Sequence, residues 1–152
     1  MGIDHEGSIY VADSGRGRIF KFNKYEEYLF AIGKDAYYDD KYNHVVPDEL
    51  ISPKHIAFDS QNNIYIVSES VVKKFDKSGK FVTRLKVISD GKEMVYSAYD
   101  IAVGPDDNIF VTVNRGDVWP SERTVVYKFD KEGNFLKWWK SGVYNDGWCY
   151  EF

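Results

Sequence analysis

One cysteine, Cys149, occurs in 152 residues, so the chain can form neither an internal disulfide nor a thiolate metal cluster. No apolar run approaches the roughly eighteen residues of a membrane-spanning helix, and the opening Met1-Gly2-Ile3-Asp4-His5 lacks the basic and then apolar layout of a secretory signal. This segment is therefore expected not to insert into a membrane. Positive charge is also short: 20 Lys and Arg stand against 24 Asp and Glu, a formal net charge of −4. Nucleic acid is accordingly not expected as a partner, because phosphate neutralisation needs a basic face that displaces counterions. Nucleophile elbow, His-Glu-x-x-His, phosphate-cradling glycine loop and calcium-loop spacing are all missing. Helical periodicity is not sustained anywhere.

What is present is apolar material in short runs. With 43% hydrophobic residues spread along the chain and 29% charged, a packed core is attainable. Three internal copies emerge. The first reads Asp4, Ile9-Tyr10-Val11-Ala12, Arg18-Ile19-Phe20-Lys21-Phe22 and Tyr28-Leu29-Phe30-Ala31-Ile32. The second reads Ile56-Ala57-Phe58-Asp59, Asn63-Ile64-Tyr65-Ile66-Val67, Val72-Lys73-Lys74-Phe75-Asp76 and Lys80-Phe81-Val82-Thr83. The third reads Ile101-Ala102-Val103-Gly104, Asn108-Ile109-Phe110-Val111, Val126-Tyr127-Lys128-Phe129-Asp130 and Asn134-Phe135-Leu136-Lys137-Trp138-Trp139. Phe22 to Phe75 is an offset of 53 and Phe75 to Phe129 one of 54.

Each complete copy holds four runs rich in Ile, Val, Phe and Tyr, punctuated by Asp, Asn, Gly, Lys and Ser, the signature of strands joined by turns. The turns Asp76-Lys77-Ser78-Gly79 and Asp130-Lys131-Glu132-Gly133 end on a glycine that takes positive φ cheaply, whereas Asn23-Lys24-Tyr25-Glu26 keeps the length without the glycine. Asp106-Asp107 falls in a tight turn and reads as hairpin chemistry, not as paired catalytic carboxylates. The fold class is all-β: three four-stranded antiparallel sheets as propeller blades, either half of a six-bladed ring or an open fragment. Blades are expected over about residues 2–33, 53–86 and 98–140, with residues 141–152 a tail that begins a further blade or supplies a closing strand. Ile9, Val11, Ile64 and Ile66 should face one neighbour, and Tyr10, Ala12, Tyr65 and Val67 the other.

The run Pro53-x-x-Ile56-Ala57-Phe58-Asp59 with Asn63-Ile64-Tyr65-Ile66-Val67, the opening Asp4-x-x-Gly7-x-Ile9-Tyr10-Val11-Ala12-Asp13-Ser14 with Arg18-Ile19, and the Lys-Phe-Asp motifs resemble NHL repeats. The resemblance covers most of residues 2–139 and implies a propeller, usually six-bladed in that family. It implies little about activity, because the fold hosts lactonases, amidating lyases, RNA-binding modules, interaction scaffolds and surface sensors. In the enzymes of that wider group the metal ligands sit at the mouth of the channel, at positions held here by Lys54 and Tyr99, neither a suitable ligand. The neighbouring His55 and Asp100, equivalent to each other in adjacent copies, are the metal candidates, either for a divalent cation on the axis or as a histidine and carboxylate satisfying local hydrogen bonds. No cofactor is otherwise expected.

Loop length points to a functional face. The turns from first to second strand are uniformly tight, while the connections at the opposite end vary, with long insertions at residues 34–52 and between Phe110 and Phe129. Tyr38 and His44 from the first, and Arg115, Asp117, Trp119 and Arg123 from the second, form the candidate ligand-binding face, suited to a protein, peptide or carbohydrate. Three functional readings remain: a non-enzymatic binding or sensing module, a metal-dependent lactonase or amidating-lyase-like enzyme completed by missing blades, and a purely structural spacer with no ligand. A homodimer completing a six-bladed ring is a further expectation, since three blades leave open edges. The compartment is left open, and an extracytoplasmic part of a larger bacterial protein fits.

Overall fold

The computed structural model describes residues 1–33, 49–89, 92–94, 97–114 and 124–140. It contains three four-stranded antiparallel sheets, each in simple up-and-down order. Sheet 1 is β1 (Gly2–Ile3), β2 (Ile9–Asp13), β3 (Arg18–Phe22) and β4 (Tyr28–Ile32). Sheet 2 is β5 (Pro53–Phe58), β6 (Ile64–Ser68), β7 (Val71–Phe75) and β8 (Phe81–Arg84). A small hairpin of β9 (Val87–Ser89) and β10 (Lys92–Met94) precedes sheet 3, which is β11 (Ser97–Val103), β12 (Ile109–Asn114), β13 (Thr124–Phe129) and β14 (Phe135–Lys140). No helix occurs among the described residues, and none is long and apolar enough to cross a membrane.

Period-2 patterning decides how the sheets stack, because successive side chains leave a strand on opposite faces. In β6, Ile64 and Ile66 join Tyr10, Ile19, Ile32 and Phe75 in the cluster between sheets 1 and 2. Tyr65 and Val67 join Ile109, Val111, Val113 and Phe129 in the cluster between sheets 2 and 3. All five residues of β6 are buried, as a middle sheet requires. Each fully buried Ile, Val or Phe contributes about 1.5–3 kcal/mol, so these two interfaces outweigh any single turn or ion pair. Sheet 1 exposes what a further neighbour would cover: on the face turned away from sheet 2, Ile3 is 63% and Tyr28 58% accessible, and Val11 is exposed.

At one end all six hairpin turns follow one design. Residues 4–8, 23–27, 59–63, 76–80, 104–108 and 130–134 are each closed by two backbone hydrogen bonds, from the first N–H to the fifth carbonyl and from the fourth N–H to the first carbonyl. The fourth residue takes positive φ every time: Gly7, Glu26, Asn62, Gly79, Asp107 and Gly133. In five of the six the first residue is Asp or Asn, and its side-chain Oδ1 accepts backbone N–H groups of the turn, as when Asp76 receives Ser78 at 2.9 Å and Lys80 at 3.0 Å. Gly104 is the exception. Where the glycine of the second copy was expected, Gly79 stands at φ 84°, and a Cβ there would lie 2.8 Å from Phe30 of sheet 1. Glu26 takes the same conformation at φ 69° without glycine's freedom.

The connection after β8 carries the β9–β10 hairpin. It is tied back by Arg84 to Glu93 at 2.7 Å and Lys86 to Glu93 at 3.5 Å, while Val87 inserts into the core between sheets 2 and 3.

Candidate functional site

The strand order places the starts of β5 and β11 at the end opposite the six regular turns. The connections there are unequal: residues 14–17 join β2 to β3, residues 69–70 join β6 to β7, and residues 115–123 join β12 to β13. Pairing breaks register near the start of β5, between Pro53 and Ile56, and near the start of β11, between Ala98 and Asp100. A bulge re-aims the side chains it contains. At both it turns polar residues to solvent: Lys54, His55, Tyr99 and Asp100 are exposed, whereas Pro53 and Ala98 just before them are buried.

The two bulges meet. His55 Nδ1 lies 2.9 Å from Asp100 Oδ1, bridging sheets 2 and 3, with side chains 47% and 62% accessible. The same carboxylate oxygen accepts the Ile101 N–H at 2.8 Å, which fixes its orientation. Because an ionised carboxylate can only accept, Nδ1 is the donor, and Nε2 is the nitrogen presented to a ligand. Next to this pair the chain is pinned by short contacts. Ser14 Oγ donates to the Pro53 carbonyl at 2.5 Å, Ser68 Oγ accepts from the Ile51 N–H at 2.8 Å, and Lys73 Nζ donates to the Glu49 carbonyl. The pair therefore rests on a fixed rim.

His55 and Asp100, put forward from the repeat alignment as metal candidates, are thus brought into contact. They are directed at each other, and among the described residues no group of three or more His, Cys, Asp or Glu could hold a metal ion. Two donors already bonded to each other do not make a tetrahedral or octahedral cage. Tyr38, His44, Arg115, Asp117, Trp119 and Arg123 lie outside the described residues, as does the tail at 141–152.

Sequence reasoning missed a buried polar constellation that recurs at the regular end. In sheet 1, Tyr10 donates its hydroxyl to Asp4 Oδ2 at 3.2 Å, and Lys21 lies 3.5 Å from the same oxygen and 5.0 Å from the centre of the Tyr10 ring. In sheet 2, Tyr65, Asp59 and Lys74 repeat this at 3.2, 3.5 and 4.9 Å. Burial raises the Asp4 carboxyl, but hydrogen bonds from Ser8 and the charge of Lys21 outweigh it and hold the group below its ordinary value. Burial and the adjacent aspartate push both tyrosine hydroxyls upward, so they stay protonated donors. The signal was available as Asp followed six residues later by Tyr, with Lys in the cross-strand position: Tyr10 pairs with Lys21 and Tyr65 with Lys74. Sheet 3 has lost it, with Gly104 and Phe110 in place of the Asp and Tyr, and Lys128 over the Phe110 ring at 5.7 Å.

The same turns also bond across sheets. The His5 N–H donates to Asn62 Oδ1 at 3.0 Å. Ser60 donates its N–H to Asp107 Oδ1 at 2.7 Å and its hydroxyl to Asp107 Oδ2 at 2.6 Å, holding the Asp107 carboxyl below its ordinary value. The hairpin reading of Asp107 is thereby extended: the residue shapes its own turn and ties it to the neighbouring sheet.

No family model and no curated protein sequence matches the chain. Solved structures do. A protein of unknown function from Bacteroides caccae is 14% identical at a TM-score of 0.56, over 85% of this chain and 39% of that one. The selenomethionine-substituted virginiamycin B lyase from Staphylococcus aureus is 14% identical at a TM-score of 0.60, over 95% and 41%. A streptogramin B lyase structure is 15% identical at a TM-score of 0.56, over 95% and 40%. The chain thus spans about two fifths of the length of these proteins. The likeness concerns the fold, and the three sheets are blades of a β-propeller.

Proposed function

We infer that the chain is a non-enzymatic binding module of NHL-repeat type, which takes up a protein, peptide or carbohydrate at the mouth of the channel on the end with unequal connections. The observation that carries this reading is the His55–Asp100 contact across two bulged inner strands, an oriented and accessible polar pair on a rigid rim. His55 Nε2 supplies one directional contact, Lys54 and Tyr99 flank it, and Tyr38, His44, Arg115, Asp117, Trp119 and Arg123 supply aromatic and charged contact area from the long connections. The test is a glycan and peptide array followed by calorimetry on each hit. Binding that weakens about tenfold or more in His55→Ala, the magnitude of losing one well-placed polar contact, supports the reading; hits indifferent to His55→Ala and to Trp119→Ala refute it.

A second reading is favoured by the two lyases among the structural neighbours. A histidine oriented by a carboxylate is also a general base, and a lyase or lactonase could be completed by donors from further blades. That reading requires divalent-metal uptake dependent on His55 and Asp100; calorimetry with manganese and zinc showing none would remove it.

A further inference from the structure

We propose that the two blade faces left without a neighbouring sheet among the described residues, that of sheet 1 turned away from sheet 2 and that of sheet 3 turned away from sheet 2, dock on each other between two copies of this chain and so close a ring. The inference rests on the propeller fold and is independent of the ligand.

The first argument is continuity. Both interfaces within the chain are built alike: the Ile64, Ile66, Phe75 face of sheet 2 is covered by sheet 1, and the Ile109, Val111, Phe129 face of sheet 3 by sheet 2. The equivalent face of sheet 1 is Ile9, Val11 and Phe22, with Phe20 and Tyr28 beside them; among the described residues no sheet covers it, and Val11 and Tyr28 are exposed. On the far side of sheet 3, Phe110 packs edge-on against Trp139 at 6.1 Å, both half-buried, and no described sheet lies over them. Contiguous apolar side chains at a surface, rimmed by charge, are what marks a protein contact.

The second argument is charge. In sheets 1 and 2 the cross-strand lysine is neutralised by its own turn, Lys21 by Asp4 and Lys74 by Asp59. Gly104 removes that carboxylate from sheet 3, so Lys128 faces outward without it, alongside Lys137, its cross-strand partner. In sheets 2 and 3 the position that presses on the preceding sheet is a glycine: a Cβ on Gly79 would meet Phe30 at 2.8 Å, and one on Gly133 would meet Leu85 at 3.0 Å. In sheet 1 the same position is Glu26, followed by Glu27, both exposed. By strand register, Lys137 stands where Phe30 stands in sheet 1. Docking therefore brings Glu26 against Lys137, an acidic hairpin against Lys128 and Lys137, which no carboxylate among the described residues pairs.

The third argument is the ladder of turns. It runs from the second residue of one turn to the positive-φ residue of the next sheet, His5 to Asn62 and Ser60 to Asp107. At the proposed contact those residues are Pro105, which has no N–H, and Gly7, which has no side chain. Either alone would strand a partner; facing each other they strand none. A face that meets a different face closes into a ring when the rotation allows, and two copies supply six blades.

Sedimentation velocity and light scattering on the full chain test this. The expected mass is that of two chains. Lys137→Glu should raise the dimer dissociation constant about tenfold or more, since each ring contains the contact twice, and the double reversal Glu26→Lys/Lys137→Glu should return it to within about threefold of wild type. Both side chains project from the surface of a single copy, and circular dichroism verifies that each variant keeps its β spectrum. A folded wild type that stays monomeric at 100 micromolar, an open polymer in place of a dimer, or a double reversal that fails to restore association overturns the proposal.

Discussion

The buried Asp59–Tyr65 contact makes the most discriminating stability experiment, because sheet 3 shows what the same site looks like without it. Asp59 accepts from Gln61 N–H at 3.1 Å, Asn63 N–H at 2.8 Å, Asn63 Nδ2 at 2.8 Å and the Tyr65 hydroxyl at 3.2 Å, and Tyr65 is fully buried. Asp59→Ala removes every one of these acceptors at once. The turn N–H groups are partly reachable by water and cost about 0.5–1 kcal/mol each, while the stranded Tyr65 hydroxyl costs about 1–3 kcal/mol, giving about 3 kcal/mol in all. Tyr65→Phe alone leaves Asp59 its other donors and costs about 1 kcal/mol. In the double variant no hydroxyl is stranded, so the loss is about 2 kcal/mol and not the sum of about 4. The coupling of about 2 kcal/mol is well above the few tenths expected of unrelated sites. Urea unfolding of the four proteins measures it, with Asp59→Ala also lowering Tm by about 9 °C at roughly 3 °C per kcal/mol. Additive single effects within about 0.5 kcal/mol would refute the argument that the hydroxyl and the carboxylate are held as one unit.

Three further outcomes follow from the geometry. Gly79→Ala, at φ 84° with its Cβ directed at Phe30, should destabilise by more than about 2 kcal/mol, whereas Gly7→Ala, at φ 83° with only Lys24 at 3.5 Å, should cost about 1 kcal/mol; equal losses in thermal melts would mean that sheet-to-sheet approach does not select the glycine. The Asp4, Asp13, Asp76, Asp107 and Asp130 carboxyls all sit below their ordinary value, Asp13 through the Arg16 N–H, Asp76 through Ser78, and Asp130 through Asn134 bonds that exceed the opposing effect of burial. The unfolded chain thus takes up protons first, so this stabilisation is complete above about pH 4 and is lost as pH falls through the folded-state values; a urea midpoint flat between pH 6 and pH 3 would contradict it. Asp100→Asn keeps an acceptor for His55 and the exposed pair contributes little to stability, so Tm should move by less than about 2 °C; a larger drop would make the pair part of the framework and not of a binding surface.

The blades were legible because strand alternation and turn chemistry act locally: Ile64 and Ile66 against Tyr65 and Val67 already divide one strand between two neighbours. The contact of His55 with Asp100 was approached only through the offset between copies, which put the two residues at matching positions but did not reveal the bulges that aim them. Asp59, Tyr65 and Lys74 were each visible, yet their meeting depends on cross-strand register, which a linear reading of composition does not carry. Ser60 with Asp107, forty-seven positions apart, was illegible for the same reason. The β9–β10 hairpin escaped because Val87-Ile88-Ser89 and Lys92-Glu93-Met94 are too short and too mixed in polarity to display a period.

The ladder between turns has a consequence for anyone who would stabilise the scaffold by design. A residue other than glycine in the left-handed region is ordinarily the first position to replace with glycine. Asn62, at φ 62°, and Asp107, at φ 58°, meet that description, and at both the rule inverts. Their side chains are the clasps that fix one blade's angle to the next, through His5 and Ser60. Relaxing the backbone there would ease two turns and loosen the pitch of the whole stack. Each of these turns is thus a compromise between the comfort of one hairpin and the alignment of its neighbours, settled in favour of alignment.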